Sequence, residues 1–167
     1  MGERSPRWNP QARGAYFGLT VQHSRADIVR ATLEGITFNL RAILEALLEQ
    51  GALVEAMRVI GGGARGGVWR RIMADIYQLP IVRLKLVEEA TAMGAAIAGG
   101  IGVGIFPDFS VAERLTPEVD RLLPDPAQKA VYDRLYRVFN LCYEAFVPLY
   151  ETLADQPEIA ETTGESG

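Results

Sequence analysis

The sequence has almost none of the residues that build metal sites and covalent cross-links. It contains one Cys and one His. A single Cys excludes a disulfide framework and any Cys-based zinc site. A single His makes a His-rich metal site impossible, and it leaves a Ser-His-Asp triad only one candidate base, His23. We therefore expect no metal ligands in the chain.

Positive charge is also in deficit, with 17 Lys and Arg against 21 Asp and Glu. The deficit comes from the last thirteen positions, 155–167, which hold four acidic residues and no basic one. Without that stretch, basic and acidic residues balance at 17 each. A neutral body has no electrostatic footprint for nucleic acid or an anionic membrane. We expect neither partner, and we expect 155–167 to be a disordered acidic tail.

Long apolar runs are missing at the start of the chain, where a secretory signal would lie. The longest uncharged run, 90–107, is near the length of a membrane span, but it carries five Gly residues. Each interior Gly costs a helix about 1 kcal/mol relative to Ala. This favours a closely packed helix over a membrane span. The lack of a secretory signal and the free thiol together predict a cytoplasmic protein.

What is present is typical of a globular domain: 49% of the residues are hydrophobic and 23% are charged. Ser24 and Asp27 have the form of a capping box, which predicts that a long helix starts at Ser24 and stops at Gly51. Further along, the pattern predicts strands at 57–60 and 81–87, helices at 68–77, 90–98 and 127–153, and a loop-rich connection at 103–126.

These elements leave the predicted sheet incomplete. A strand, a crossover helix and a second strand make one βαβ unit, so the two strands should be parallel. Parallel sheets are covered on both faces, and sheets average about five or six strands. Two strands cannot cover four helices. We infer that more strands come from a partner chain, an oligomer or sequence further upstream.

A glycine-rich loop follows the first predicted strand. Gly61-x-Gly63-x-x-Gly66 satisfies GxGxxG between a strand and a helix, and Glu88 follows the next strand. This favours a Rossmann-type NAD site, while the alternative is a flexible turn. Against NAD, about fifty residues precede the strand, no third strand is predicted, and Glu88 fits the first turn of a helix.

Several motifs in the right order resemble the C-terminal part of the FGGY carbohydrate kinases, most closely the xylulokinases. The run 2–14 resembles the stretch before the family signature, and 61–65 resembles its adenosine loop. The signature itself is matched by Gly14, Tyr16, Gly18-Leu19, Asp27-Ile28 and Ala31-Thr32-Leu33-Glu34. Matches on the two following helices are Trp69-Arg70, Ala74-Asp75, Glu89-Ala90, Ala92 and Gly94-Ala95-Ala96.

The resemblance implies an α/β fold: part of a ribonuclease-H-like, actin-like ATPase domain, with few parallel strands and flanking helices. Residues 1–154 would be the C-terminal nucleotide-binding domain without its first strands. The resemblance implies ATP, with Mg²⁺ bound through the nucleotide, as the cofactor. The site residues it implies are Gly61, Gly62, Gly63, Ala64, Arg65, Gly66 and Gly67.

Within that loop, the resemblance places Gly62, Gly63 and Ala64 facing the nucleotide, with Arg65 over the base or near phosphate. Some relatives carry Ser or Asn at the positions of Gly66 and Gly67, so a side-chain contact made there is absent from this chain. The resemblance assigns Glu88-Glu89 to capping a helix rather than to contacting ATP.

The family's catalytic Asp, sugar-binding residues and two phosphate loops have no match in this chain, so no catalytic residue is predicted. The expected function is the ATP-binding part of a kinase that phosphorylates a pentulose such as xylulose. The missing N-terminal kinase domain or a second copy of the chain would be its partner. The alternatives are a non-catalytic nucleotide-binding or interaction module and a Rossmann-type NAD-binding fragment.

Other reactive residues have simpler roles. His23 is predicted to lie in a turn or interface, and Cys142 to be a buried, inert thiol. Asp75 is expected to pack or cap, and the aromatic face of the last helix to form core. Residues 1–13 are predicted to form an N-terminal arm, and its residues Arg4, Arg7 and Arg13 either face a sugar-phosphate cleft or lie exposed.

Overall fold

The computed structural model describes residues 2–85 and 89–154. The predicted end of the second strand, Glu88 and the predicted tail 155–167 lie outside these ranges. In chain order the elements are α1 Arg25–Glu49, β1 Met57–Val59, a 3-10 turn Gly62–Ala64, α2 Gly67–Tyr77, β2 Ile81–Leu84, α3 Ala90–Gly102, α4 Val111–Leu115, β3 Glu118–Leu122, a 3-10 turn Pro126–Gln128 and α5 Lys129–Ala154.

Helix α1 begins and ends where the sequence predicts. The Ser24 N–H donates to Asp27 Oδ2 at 2.8 Å, and the Asp27 N–H donates to Ser24 Oγ at 3.4 Å. This reciprocal pair is the predicted capping box. At the other end, the Gly51 N–H donates to the Leu48 carbonyl at 2.9 Å and closes the last turn.

The sheet has three strands in the order β1-β2-β3. Strands β1 and β2 are parallel, as predicted, with Met57 opposite Ile81 and Val59 opposite Arg83. Strand β3 runs antiparallel to β2, with Leu122 opposite Ile81. The sheet is therefore mixed, and the prediction that no third strand follows β2 was wrong.

Strand β3 was missed because it has little apolar alternation. Its sequence Glu-Val-Asp-Arg-Leu lies between Pro117 and Pro124, and three of its five residues are exposed. Specific contacts with α2 hold it instead: Arg70 forms an ion pair with Asp120, and Arg71 donates to the Leu123 carbonyl at 2.6 Å. Tertiary contacts here outweigh a weak local β propensity.

Helix α2 lies between two apolar clusters. On one face, Ile72 and Ile76 pack with Phe38 of α1 and with the rings of Tyr132 and Tyr136 from α5. On the other face, Met73 and Ala74 pack against Ile81 of the central strand. All four of these α2 side chains are at most 6% exposed, so α2 is packed against both layers.

Among the remaining helices, α5 follows the prediction, whereas α4 lies within the predicted loop-rich connection 103–126. The prediction of a closely packed helix at 90–98 was wrong, since only Ile97 and Gly100 of α3 are buried. The aromatic face of α5 forms core, as expected, with Tyr132 at 3% and Tyr136 at 8% exposure. The 3-10 turn that leads into α5 is capped by the Asp125 carboxylate, which accepts the Ala127 N–H at 2.9 Å. Helix α3 runs four residues past its predicted end, to Gly102, despite its Gly residues. Among the described residues, no helix combines the length and apolarity needed to cross a bilayer.

The outer edge of β1 is open. Because the Met57 N–H donates to the Pro80 carbonyl beside β2, the backbone groups of the next residue, Arg58, point the other way. No strand in 2–85 or 89–154 pairs with that side. Leu53 and Ile60, which flank β1, are 97% and 53% exposed. The structure thus agrees with the inference that the sheet continues into other polypeptide.

We predict that Asp120→Asn loosens β3. The hydrogen bond from Arg70 holds the pKa of Asp120 below its ordinary value of 3.8. A depressed folded-state pKa stabilises the fold above that ordinary value, and the contribution is lost as pH falls through the folded-state pKa. The variant should therefore unfold in less urea than the wild type at pH 7, and the difference should shrink in acid.

Amide hydrogen exchange should be faster at 118–122 in Asp120→Asn. Glu118→Gln is the matched control, since the ion pair of Glu118 is with exposed Arg121 on the same strand and does not reach α2. Unchanged exchange at 118–122 in Asp120→Asn would contradict an anchoring role for this carboxylate.

Candidate functional site

The seven predicted site residues form one continuous loop at the carboxyl end of β1. Gly61 has φ +71° and ψ −163°, a conformation that is essentially restricted to glycine. The chain then makes a 3-10 turn in which the Ala64 N–H donates to the Gly61 carbonyl at 3.1 Å. The Arg65 N–H donates to the Gly62 carbonyl at 3.2 Å. Gly61 thus turns the chain out of the sheet and into α2.

The loop has an outer and an inner side. Gly62, Arg65, Gly66 and Gly67 are exposed, so they form the surface that a ligand could contact. Ala64 is completely buried, at 0% exposure. Its methyl group supports the loop from within, and a ligand on the outer face would not reach it in this conformation. Six of the seven residues therefore remain candidates for direct contact.

The underside of the loop rests on an aromatic ring. A Cβ built on Gly63 would lie 3.0 Å from Cζ3 and 3.2 Å from Cε3 of Trp69. The indole N–H of Trp69 donates to Thr37 Oγ1 of α1 at 3.1 Å. Thr37 was not among the predicted site residues. In the sequence, Thr37 is marked only as a polar residue within a predicted helix, and the structure shows that it is buried there.

The loop leads directly into the N-terminus of α2. Gly66 is the N-cap residue and provides no side-chain cap, since it has no side chain. The first N–H groups of a helix have no partners within the helix, and the helix dipole makes this end attractive to anions. An exposed glycine backbone at this end allows a phosphate or ribose group to approach closely.

A shallow apolar pocket of about 390 Å³ lies beside the first turn of α2. It is lined by Arg25, Ala26, Val29, Arg30, Leu33 and Val68. Arg30 is already engaged, because its Nε donates to Glu34 at 2.8 Å and its Nη2 donates to the Tyr132 hydroxyl at 3.1 Å. The same hydroxyl donates to Glu34 at 2.9 Å, and burial raises its pKa. Arg30 is thus fixed at the rim of an apolar surface.

A larger groove of about 830 Å³ separates the N-terminal arm from α1 and α5. His23 and Cys142 both line it, as do the three Arg residues of the arm. His23 Nδ1 lies 2.9 Å from the Thr20 backbone nitrogen, which donates to it, so this ring closes a turn. Arg7 lies over the Tyr143 ring, 3.9 Å from its centroid.

Asp75 and Glu89 have structural positions. Asp75 is 5% exposed and accepts the Asp125 N–H at 2.8 Å, which ties α2 to the start of α5. Glu89 is the N-cap residue of α3, although its side chain makes no capping hydrogen bond. The predicted structural role of Asp75 fits its position, whereas the predicted cap of α3 is not made by the Glu89 side chain.

The amino-acid sequence of the chain is similar to those of known proteins. The model for "FGGY family of carbohydrate kinases, C-terminal domain" matches residues 1–103. A xylulose kinase of Staphylococcus epidermidis is 35% identical over 144 residues, which cover 86% of this chain and 29% of that protein. A gluconokinase of Bacillus licheniformis is 35% identical over 155 residues, covering 92% and 30% respectively.

Solved structures give the same result. A ligand-bound xylulose kinase from Lactobacillus acidophilus aligns with a TM-score of 0.81 and 28% identity, covering 91% of this chain and 31% of that one. A Plasmodium falciparum glycerol kinase with ADP aligns with a TM-score of 0.70 and 27% identity, covering 87% and 29%. The chain spans about 30% of the length of these kinases. It belongs to the FGGY family of carbohydrate kinases, matches their C-terminal domain, and has the α/β fold of part of an actin-like ATPase.

Proposed function

We propose that this chain is the nucleotide-binding wall of a carbohydrate kinase and holds the adenosine part of ATP on the loop 61–67. The observation that carries this proposal is the exposed, side-chain-free backbone of Gly62, Gly66 and Gly67 between β1 and α2. Close approach of a nucleotide needs such a backbone, and the start of α2 adds a favourable potential for anionic groups.

The apolar pocket next to the loop supports a nucleotide rather than a bare anion. Val68 is 69% exposed and continues the loop into the surface formed by Val29 and Leu33. A purine ring could bury its face against these side chains. In the complete kinase, ATP would supply the phosphoryl group and Mg²⁺ would be carried by its phosphates.

The sugar that accepts the phosphoryl group is proposed to be a pentulose such as xylulose. The support is the name of the matched relative from Staphylococcus epidermidis, together with the resemblance of 2–14 to xylulokinases. A gluconokinase matches at the same identity, so gluconate is the competing substrate. Neither the catalytic base nor the sugar site is assigned to this chain, which would act together with the rest of a kinase.

An NAD-binding fragment is the second candidate, and the strand order weighs against it. A Rossmann domain continues with further parallel strands after the second one. Here β3 returns antiparallel to β2 and occupies the position next to it. The GxGxxG spacing alone therefore does not favour NAD over ATP.

We predict that the isolated chain binds ADP and does not bind NAD, as measured by titration calorimetry. Gly62→Leu should weaken ADP binding about tenfold or more, because the added side chain would cover the outer face of the loop. Gly62 has open space around it, so the variant should still fold. Gly99→Leu is the matched control, since Gly99 is also exposed and unobstructed but lies on α3. Equal or tighter binding of NAD would remove the kinase proposal.

A second prediction concerns activity. The chain alone should not consume ATP when xylulose is added, because it lacks a catalytic base. Mixed with the preceding part of the Staphylococcus epidermidis xylulose kinase, it should support xylulose-dependent ATP consumption in a coupled assay. Turnover by the chain alone would contradict the assignment of the base to other polypeptide. A folded, ADP-binding pair without turnover would favour the non-catalytic module.

A further inference from the structure

The glycine loop cannot hold its own shape. Between Gly61 and Gly67 only Ala64 and Arg65 have side chains, and the 3-10 turn is closed by two backbone hydrogen bonds, from Ala64 to Gly61 and from Arg65 to Gly62. Glycine loses more conformational freedom on ordering than any other residue. A defined loop surface therefore needs support from residues outside the loop.

Trp69 is placed to give that support. Its ring lies so close under Gly63 that a Cβ there would meet two ring carbons at 3.0 and 3.2 Å. Trp69 also packs against both apolar clusters, the one shared with α1 and α5 and the one on the sheet. The ring thus connects the rigid interior of the domain to the underside of the loop.

Thr37 sets the orientation of that ring. Thr37 is 0% exposed, and its hydroxyl donates to the Leu33 carbonyl at 2.7 Å. With its proton committed there, Thr37 Oγ1 is left as the acceptor for the Trp69 indole N–H at 3.1 Å. A half-buried indole N–H without an acceptor is costly, so the Thr37 hydroxyl favours one ring orientation.

We infer that Thr37 and Trp69 are positioning residues for the glycine loop: the Thr37 hydroxyl orients the indole, and the indole fixes Gly63. This inference rests on the proposed function, since it assigns the two residues a role in nucleotide affinity although neither is on the loop's outer face. It also explains how α1, which carries the family signature matches, is connected to the loop.

Paired variants at Thr37 separate this role from simple packing. Thr37→Val keeps the shape and removes the hydroxyl, whereas Thr37→Ser keeps the hydroxyl and removes a buried methyl group. Both changes should lower stability to urea, so stability does not distinguish them. Only Thr37→Val should speed amide exchange at 61–67 and weaken ADP binding, by about tenfold, as expected for one lost interaction.

Variants at Trp69 and Gly63 test the next link. Trp69→Phe should speed exchange at 61–67 at least as much as Thr37→Val, because it also removes the indole carbons that lie against Gly63. The double variant should be no worse there than Trp69→Phe alone, because both changes remove the hydrogen bond between the two side chains. Gly63→Ala should displace the ring and speed exchange at 61–67. Trp8→Phe is the matched aromatic control, since Trp8 is 74% exposed.

The outcomes are distinguishable. If Thr37→Val and Thr37→Ser leave exchange at 61–67 equally unchanged, the inference is overturned, whatever their stability. If the wild-type chain does not bind ADP, the proposed function fails for the isolated chain. Hydrogen exchange at 61–67 still decides the positioning role, since it needs no ligand.

Discussion

The burial of α2 on both sides is the constraint from which the geometry of the candidate site follows. Ile72 and Ile76 bind this helix to α1 and α5, while Met73 and Ala74 bind it to the sheet. A helix that packs closely on two sides has a fixed position relative to both layers. The loop that joins β1 to α2 must therefore connect a strand and a helix whose relative positions are set by packing. Buried Ala64 and the ring of Trp69 fill the space beneath that loop.

The sheet has one open side. Within 2–85 and 89–154, the central strand β2 has a neighbour on each side, whereas β1 pairs with β2 alone, and the apolar residues Leu53 and Ile60 beside β1 are exposed. This agrees with a chain that spans about 30% of the length of the kinases it matches.

Much of this arrangement followed from local physical chemistry in the sequence. The capping box at Ser24 and the apolar residues from Ile81 onward are local signals, so the starts of α1 and β2 were placed correctly. Strand β3 was missed because an ion pair with α2 and pairing with β2 hold it, and neither leaves a periodic pattern. Helix α3 was predicted too short because the Gly residues at 99–102 were taken as a turn, whereas the helix continues through them to Gly102.

At the site, sequence motifs identified the loop but not its orientation. The GxGxxG spacing and the family resemblance both selected 61–67, and the structure brings these residues into one loop between β1 and α2. Which side of the loop faces outward depends on tertiary packing, which the motif does not encode. Ala64 was therefore expected to face the nucleotide, whereas it is completely buried beneath the loop. The roles inferred for Thr37 and Trp69 depend on a contact across 32 positions of the chain, which no local pattern encodes.

The most direct test of nucleotide binding by the loop 61–67 is a map of ADP-induced backbone amide shifts on the isotope-labelled chain by NMR. The account predicts that the largest shifts fall within 61–68, whereas shifts centred on the groove between the arm and α5, or the same shifts produced by NAD, would contradict it.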